Sequence, residues 1–143
     1  MVNSRKDIVK ILKQELALEC LFAFLFGSAG ADKLTSESDI DVGVFLKVHP
    51  VKSYEIEEKI SSGLSKIFSR DVDVIVLNVS DPIVTMQVID GGFLVFSQDD
   101  VLLNEFKARK ISEYIDFKKS REVIESKLLS AGWPKWQQNQ KKT

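Results

Sequence analysis

The residues with the most chemical potential are Gly27-Ser28 and, after a gap of ten residues, the pair Asp39 and Asp41. Two aspartates two apart on a strand point the same way, a few ångströms from each other. Side by side they repel unless a cation lies between them. Hard oxygen ligands of this kind suit magnesium, which takes one or two carboxylates together with substrate phosphates. Glycine lets the backbone approach a phosphate closely, and a serine hydroxyl and the amides after it can donate to one. Asp73 lies in a second alternating segment. If that strand neighbours the first, its carboxylate reaches the same side, where it can ligate a second metal or accept a proton from an attacking hydroxyl. Taken singly, each feature is ordinary: an Asp-x-Asp pair is more often solvent-facing on a sheet edge, and a Gly-Ser pair is often only a turn. In this order they describe a site for a nucleoside triphosphate and its metal.

The elements that must position these residues follow from periodicity. Asn3 or Ser4 can cap a first helix, with Asp7 three after Ser4 as in a capping box. Ile8, Ile11, Leu12 and Leu16 then give helical spacing over residues 4–18. Residues 20–26 form an aromatic-rich apolar run too short for a helix, expected as a strand buried on both faces. The Gly-Ser turn ends that strand, and 29–38 suits a short helical turn and loop. Residues 39–46 alternate, placing Ile40, Val42, Val44 and Leu46 on one face and Asp39, Asp41, Gly43 and Phe45 on the other. A helix is expected over 53–69, then a strand over 71–78 with Asp71, Asp73, Ile75 and Leu77 on one face. Asp81-Pro82 starts a further helix that stops at Gly91-Gly92. Phe93 to Phe96 reads as an edge strand. Ser97, with Asp100 three residues on, is a capping candidate for a long final helix, about 99–130. The spacing leaves open a break near 116–120.

The expected architecture is α/β, a mixed sheet of about four strands flanked by helices, which pack mainly on the face opposite the aspartates. One domain spans 1–131, followed by a tail, 132–143, that holds Trp133 and Trp136. Length and composition agree: 143 residues, 44% hydrophobic and 29% charged, suit one globular domain. A single cysteine, Cys20, excludes an intramolecular disulfide and a multi-cysteine zinc site, and its apolar neighbours imply a buried thiol. His49, alone before a proline, reads as a loop residue. No apolar signal core follows the N-terminal charges and no stretch suits a bilayer, so a cytoplasmic location without membrane contact is expected. The net charge of −1 is unevenly spread, −6 over residues 1–100 and +5 over 101–143. No stripe of interleaved basic and aromatic residues points to direct nucleic-acid binding.

The order Gly-Ser, ten residues, Asp-x-Asp, then a Val-Asp-Val strand resembles the DNA polymerase β-like nucleotidyltransferase superfamily, in particular its minimal nucleotidyltransferases. The wording Leu25-Phe26-Gly27-Ser28 and Glu37-Ser38-Asp39-Ile40-Asp41 is similar to that family almost residue for residue. The size, the Asp81-Pro82 helix, the Gly91-Gly92-Phe93-Leu94-Val95-Phe96 strand and the long last helix look like the MntA-type antitoxins of HEPN/MNT toxin–antitoxin pairs. The resemblance implies a polymerase β palm-like fold and a Mg-ATP-dependent adenylyltransferase that places AMP on a tyrosine of its partner, a HEPN-fold ribonuclease toxin. It further implies that Gly27 and Ser28 hold the triphosphate and that Asp39 and Asp41 ligate magnesium. Asp73 would complete a two-magnesium site and activate the tyrosine hydroxyl. Many members have glycine four residues after the motif serine. Here that position is Asp32, and the glycine stands at Gly30. Lys107, Arg109 and Lys110 are candidates for positive charge near the triphosphate. Two other functions compete: nucleotidyl transfer to a small molecule such as an aminoglycoside, and a non-catalytic antitoxin that neutralises by binding.

Overall fold

The computed structural model describes residues 4–35 and 38–132. Asn3, Glu37, Trp133 and Trp136 therefore lie outside the described residues. Helix α1 (Arg5–Leu16) starts where Ser4 Oγ accepts the Asp7 amide at 3.2 Å, and it buries Ile8, Leu12 and Leu16. Strand β1 (Cys20–Phe26) follows, then the four-residue turn α2 (Gly27–Gly30) and strand β2 (Ile40–Leu46). Helix α3 (Ser53–Phe68) ends on Ser69, whose φ of +54° turns the chain into strand β3 (Val72–Val76). The strand expected over 71–78 is shorter, because Leu77–Val79 winds into a 3-10 turn that buries Leu77.

Helix α4 (Pro82–Gly91) begins as expected: Asp81 Oδ1 accepts the Val84 amide at 2.8 Å and Pro82 occupies the first turn. It stops at Gly92, where any Cβ would overlap the Val88 carbonyl. Strand β4 (Phe93–Ser97) leads into helix α5 (Asp100–Ser130), which runs unbroken through 116–120. The cap of α5 is Asp99, whose Oδ1 accepts the Leu102 amide at 3.0 Å, rather than Ser97. Ser97 pairs with Phe22 in the sheet and is thereby too early to cap.

The four strands form one mixed sheet in the order β3-β2-β1-β4, with β2 and β3 parallel and the other pairs antiparallel. β1 is an inner strand with helices over both faces, and most of its residues are buried. On one face, α1 and α3 cover Ala23, Leu25, Ile40, Val42, Val44, Val74 and Val76. On the other, α4 and α5 cover Phe22, Phe24 and Leu77 with Val88, Leu103 and Phe106. This corrects the expectation that helices pack mainly opposite the aspartates. The aspartate face is apolar beyond Asp41, at Gly43 and Phe45, and a strand buried on both faces demands a layer on each. Cys20 is buried, and that burial pushes its thiol up to about 12, with the Glu19 charge adding to the effect. It stays protonated. No helix among the described residues is long and apolar enough to cross a membrane.

Candidate active site

Strand pairing brings the separated motif residues to one end of the sheet. In the antiparallel pair Phe26 sits opposite Asp41, so the Gly27-Ser28 turn lies at Asp41's side. In the parallel pair Asp41 sits opposite Asp73, and paired residues of neighbouring strands share a face about 4.8 Å apart. Asp39 precedes β2 and is exposed, its expected place in the strand having been taken over by the loop. Gly27 has φ of +64°, and a Cβ there would fall on the Asp41 carboxylate, 3.3 Å from its Cγ. Two independent constraints thus require glycine: a left-handed backbone and contact with a carboxylate. The N-cap residue of α2, Phe26, makes no side-chain capping bond, and Gly27 and Ser28 are exposed beside Asp41. Amides at the start of such a turn can donate to an anion.

The electrostatics match this crowding. Burial holds the Asp41 carboxyl above its ordinary range, and the neighbouring Asp73 and then Asp39 push it further the same way. A positive ion is the natural complement. Among the described residues no three His, Cys, Asp or Glu side chains converge closely enough to hold a metal alone. The donor set is instead two adjacent carboxylates and a third at the loop. It fits magnesium, whose remaining ligands are typically phosphate oxygens and water. Asp71, read as a strand-end charge, is exposed and uses its carbonyl to accept the Ile40 amide at 3.0 Å.

Two arginines that periodicity did not single out hold the two halves of the motif. Arg5, from α1, donates through Nη1 to the Gly30 carbonyl at 3.1 Å, stacks 4.2 Å over the Phe93 ring, and lies 3.9 Å from the Asp32 carboxylate. Asp32 itself has φ of +56°. This position therefore needs the left-handed conformation that glycine adopts freely and aspartate tolerates. Gly30 is a glycine for a different reason, since a Cβ would press within 2.7 Å of the Leu25 carbonyl. Arg70 pins the segment before Asp39, donating through Nε to the Ser38 carbonyl at 2.9 Å and through Nη2 to the Thr35 carbonyl at 2.6 Å. Arg70 lies three residues before Asp73 but Arg5 lies 22 residues before Gly27, and neither position betrays its partner in the sequence. The basic candidates of α5 serve the aromatic cluster: Lys107 Nζ lies 5.5 Å over Phe24, and Lys110 pairs with Glu113 at 3.2 Å. Arg109 is exposed. Among the described residues none of the three pairs with Asp39, Asp41 or Asp73.

Residues 6–101 match the family described as polymerase beta, nucleotidyltransferase. The chain belongs to that family. The nucleotidyltransferase resembles several solved structures. A chain of a toxin–antitoxin complex with AMP-PNP superposes with a TM-score of 0.68 at 24% identity, over 87% of this chain and 98% of that one. A chain of an MntA-HepT toxin–antitoxin structure gives 0.65 at 20%, over 87% and 96%. A third, from tri-AMPylated Shewanella oneidensis HEPN toxin in complex with MNT antitoxin, gives 0.65 at 20%, over 87% and 95%. At these identities the likeness shows the fold. No curated protein matches the sequence significantly.

Proposed function

We propose that this nucleotidyltransferase is an MNT-type antitoxin that moves AMP from ATP onto a tyrosine of a HEPN ribonuclease toxin, using magnesium. The observation that carries the chemistry is the row Gly27–Asp41–Asp73, three residues from separate segments brought side by side. The identity of the acceptor is supported by likeness along most of the chain to antitoxin complexes, one holding an ATP analogue and one an AMP-modified toxin. Asp39, Asp41 and Asp73 would hold magnesium, which when bound neutralises phosphate charge; two ions is the number this reading carries. The α2 amides and the Ser28 hydroxyl would hold the triphosphate. The tyrosine oxygen attacks the α-phosphorus, its proton passes to the Asp73 carboxylate, and the bond to pyrophosphate breaks as pyrophosphate leaves. Positioning accounts for much of the rate, since the reacting groups are held together rather than meeting by diffusion. ATP and magnesium supply puts the reaction in the cytoplasm.

The test is to incubate the protein with Mg-ATP and the product of any adjacent HEPN-type gene, then weigh the intact toxin. AMP-sized additions on tyrosine are expected, lost with Asp39→Asn or Asp41→Asn. Silencing of the toxin by those variants without added mass would establish neutralisation by binding instead. Modification of an aminoglycoside, with no mass on the toxin, would establish the small-molecule reaction.

A further inference from the structure

Asp39 is the one motif carboxylate that no strand holds, yet both of its flanking peptide groups are tied down. On its N-terminal side the Ser38 carbonyl accepts two hydrogen bonds from Arg70, one from Nε at 2.9 Å and one from Nη2. On its C-terminal side the Ile40 amide donates to the Asp71 carbonyl at 3.0 Å. Arg70 Nη2 also donates to the Thr35 carbonyl at 2.6 Å. Thr35 and Ser38 also bond to each other: the Ser38 amide donates to the Thr35 carbonyl at 3.2 Å, and the two hydroxyls lie 2.8 Å apart. The guanidinium therefore ties the Thr35 and Ser38 carbonyls together immediately before Asp39. Arg70 is set up for this by Ser69, whose left-handed backbone ends α3 immediately before it. The same dipeptide, Arg70-Asp71, leads directly into the strand that carries Asp73.

We infer that Arg70 is a positioning residue that holds Asp39 in register with Asp41 and Asp73, and so sets the magnesium requirement of the site. The inference rests on the reading of these three carboxylates as a magnesium–triphosphate site. The planar fork of arginine suits the role, because it bridges two carbonyls in a fixed geometry that a lysine ammonium does not reproduce. Outer partners that orient a metal's ligands typically change metal affinity about 10- to 100-fold when removed.

The test reads magnesium-dependent stabilisation by a non-hydrolysable ATP analogue, as the thermal midpoint followed against magnesium concentration. Arg70→Ala is expected to raise the magnesium concentration at half-effect about tenfold or more, with saturating magnesium restoring most of the shift. Arg70→Lys is expected to fall between Arg70→Ala and wild type, and it decides the matter if Arg70→Ala does not fold. In an Asp39→Asn background the Arg70→Ala change is expected to add nothing to the magnesium requirement, the coupling expected if Arg70 acts through Asp39. A folded Arg70 variant with the wild-type magnesium requirement overturns the inference, as does full additivity with Asp39→Asn. Absence of magnesium-dependent stabilisation in wild type would instead overturn the reading of the site itself.

Discussion

Two ends of one sheet face behave differently. At the α5 end, Phe45 of β2 stacks on Phe22 with centroids 4.7 Å apart, and Phe106 packs on both at 5.4 and 5.2 Å. Four residues back along the same face, Asp41 stands beside Asp73 with their charges uncompensated by any ion pair among the described residues. Between them Gly43 carries no side chain, and Val88 of α4 fills the space. The alternation of β2 is continuous, so local structure does not distinguish the two ends. Cover does: α4 and α5 close the aromatic end. The contrast teaches where stability and chemistry reside. Rings and helices supply the free energy that lets the acidic end remain electrostatically unfavourable.

The comparison breaks most severely at the aromatic end. Phe22→Ala is expected to cost about 3–5 kcal/mol in denaturant unfolding, because Phe22 is fully buried and touches rings from two other elements. Asp41→Asn should do the opposite. It is expected to reduce AMP transfer at least about a hundredfold, the loss of several kcal/mol of charge stabilisation, while the thermal midpoint at pH 7 rises. The sign follows from the raised Asp41 carboxyl. The folded chain keeps that proton to higher pH than the unfolded chain, so wild type loses stability relative to the variant as pH rises above about 4. The advantage of Asp41→Asn is expected to be full at pH 7 and to disappear below about pH 4, measured as paired melts across pH.

Gly43→Ala tests the boundary. Its Cβ would lie 2.9 Å from Val88 Cγ1 and 3.3 Å from Leu77 Cδ2. A loss of about 1–3 kcal/mol is expected, and the double variant with Val88→Ala should be more stable than the sum of the single losses allows. The smallest effect is expected far from both ends. Arg121→Ala, which removes the exposed pair with Glu125 at 3.1 Å on α5, should change stability by about 0.5 kcal/mol or less.

These contrasts also explain what the sequence could tell. The shared side of Asp41 and Asp73 was readable because a strand's period of two places alternate residues on one face, and only the neighbour relation had to be added. The helix starts at Ser4 and Asp81 were readable because capping is local. Asp99 was not separated from Ser97, since both precede the helix and only the sheet register shows that Ser97 belongs to β4. The placement of α4 and α5 over the aspartate face was implied by the doubly apolar β1, but the two aspartates outweighed it in the expectation. Arg5 and Arg70 were beyond reach. Their partners are backbone carbonyls 25 and 32–35 residues away, which leave no trace in side-chain pattern. Asp32 stands where many similar sequences have glycine, and its φ of +56° is a conformation that glycine adopts freely and aspartate tolerates.

The central claim is that Gly27-Ser28, Asp39, Asp41 and Asp73 make one metal–triphosphate site. Its most direct test is the thermal midpoint of the purified chain with a non-hydrolysable ATP analogue, magnesium, both, or both with excess EDTA. Ligand that binds only the folded state raises the midpoint by mass action. Wild type should rise only with analogue and magnesium together and return with EDTA, and Asp41→Asn should show no magnesium-dependent rise. An equal magnesium-dependent rise in Asp41→Asn, or none in wild type, would contradict the account.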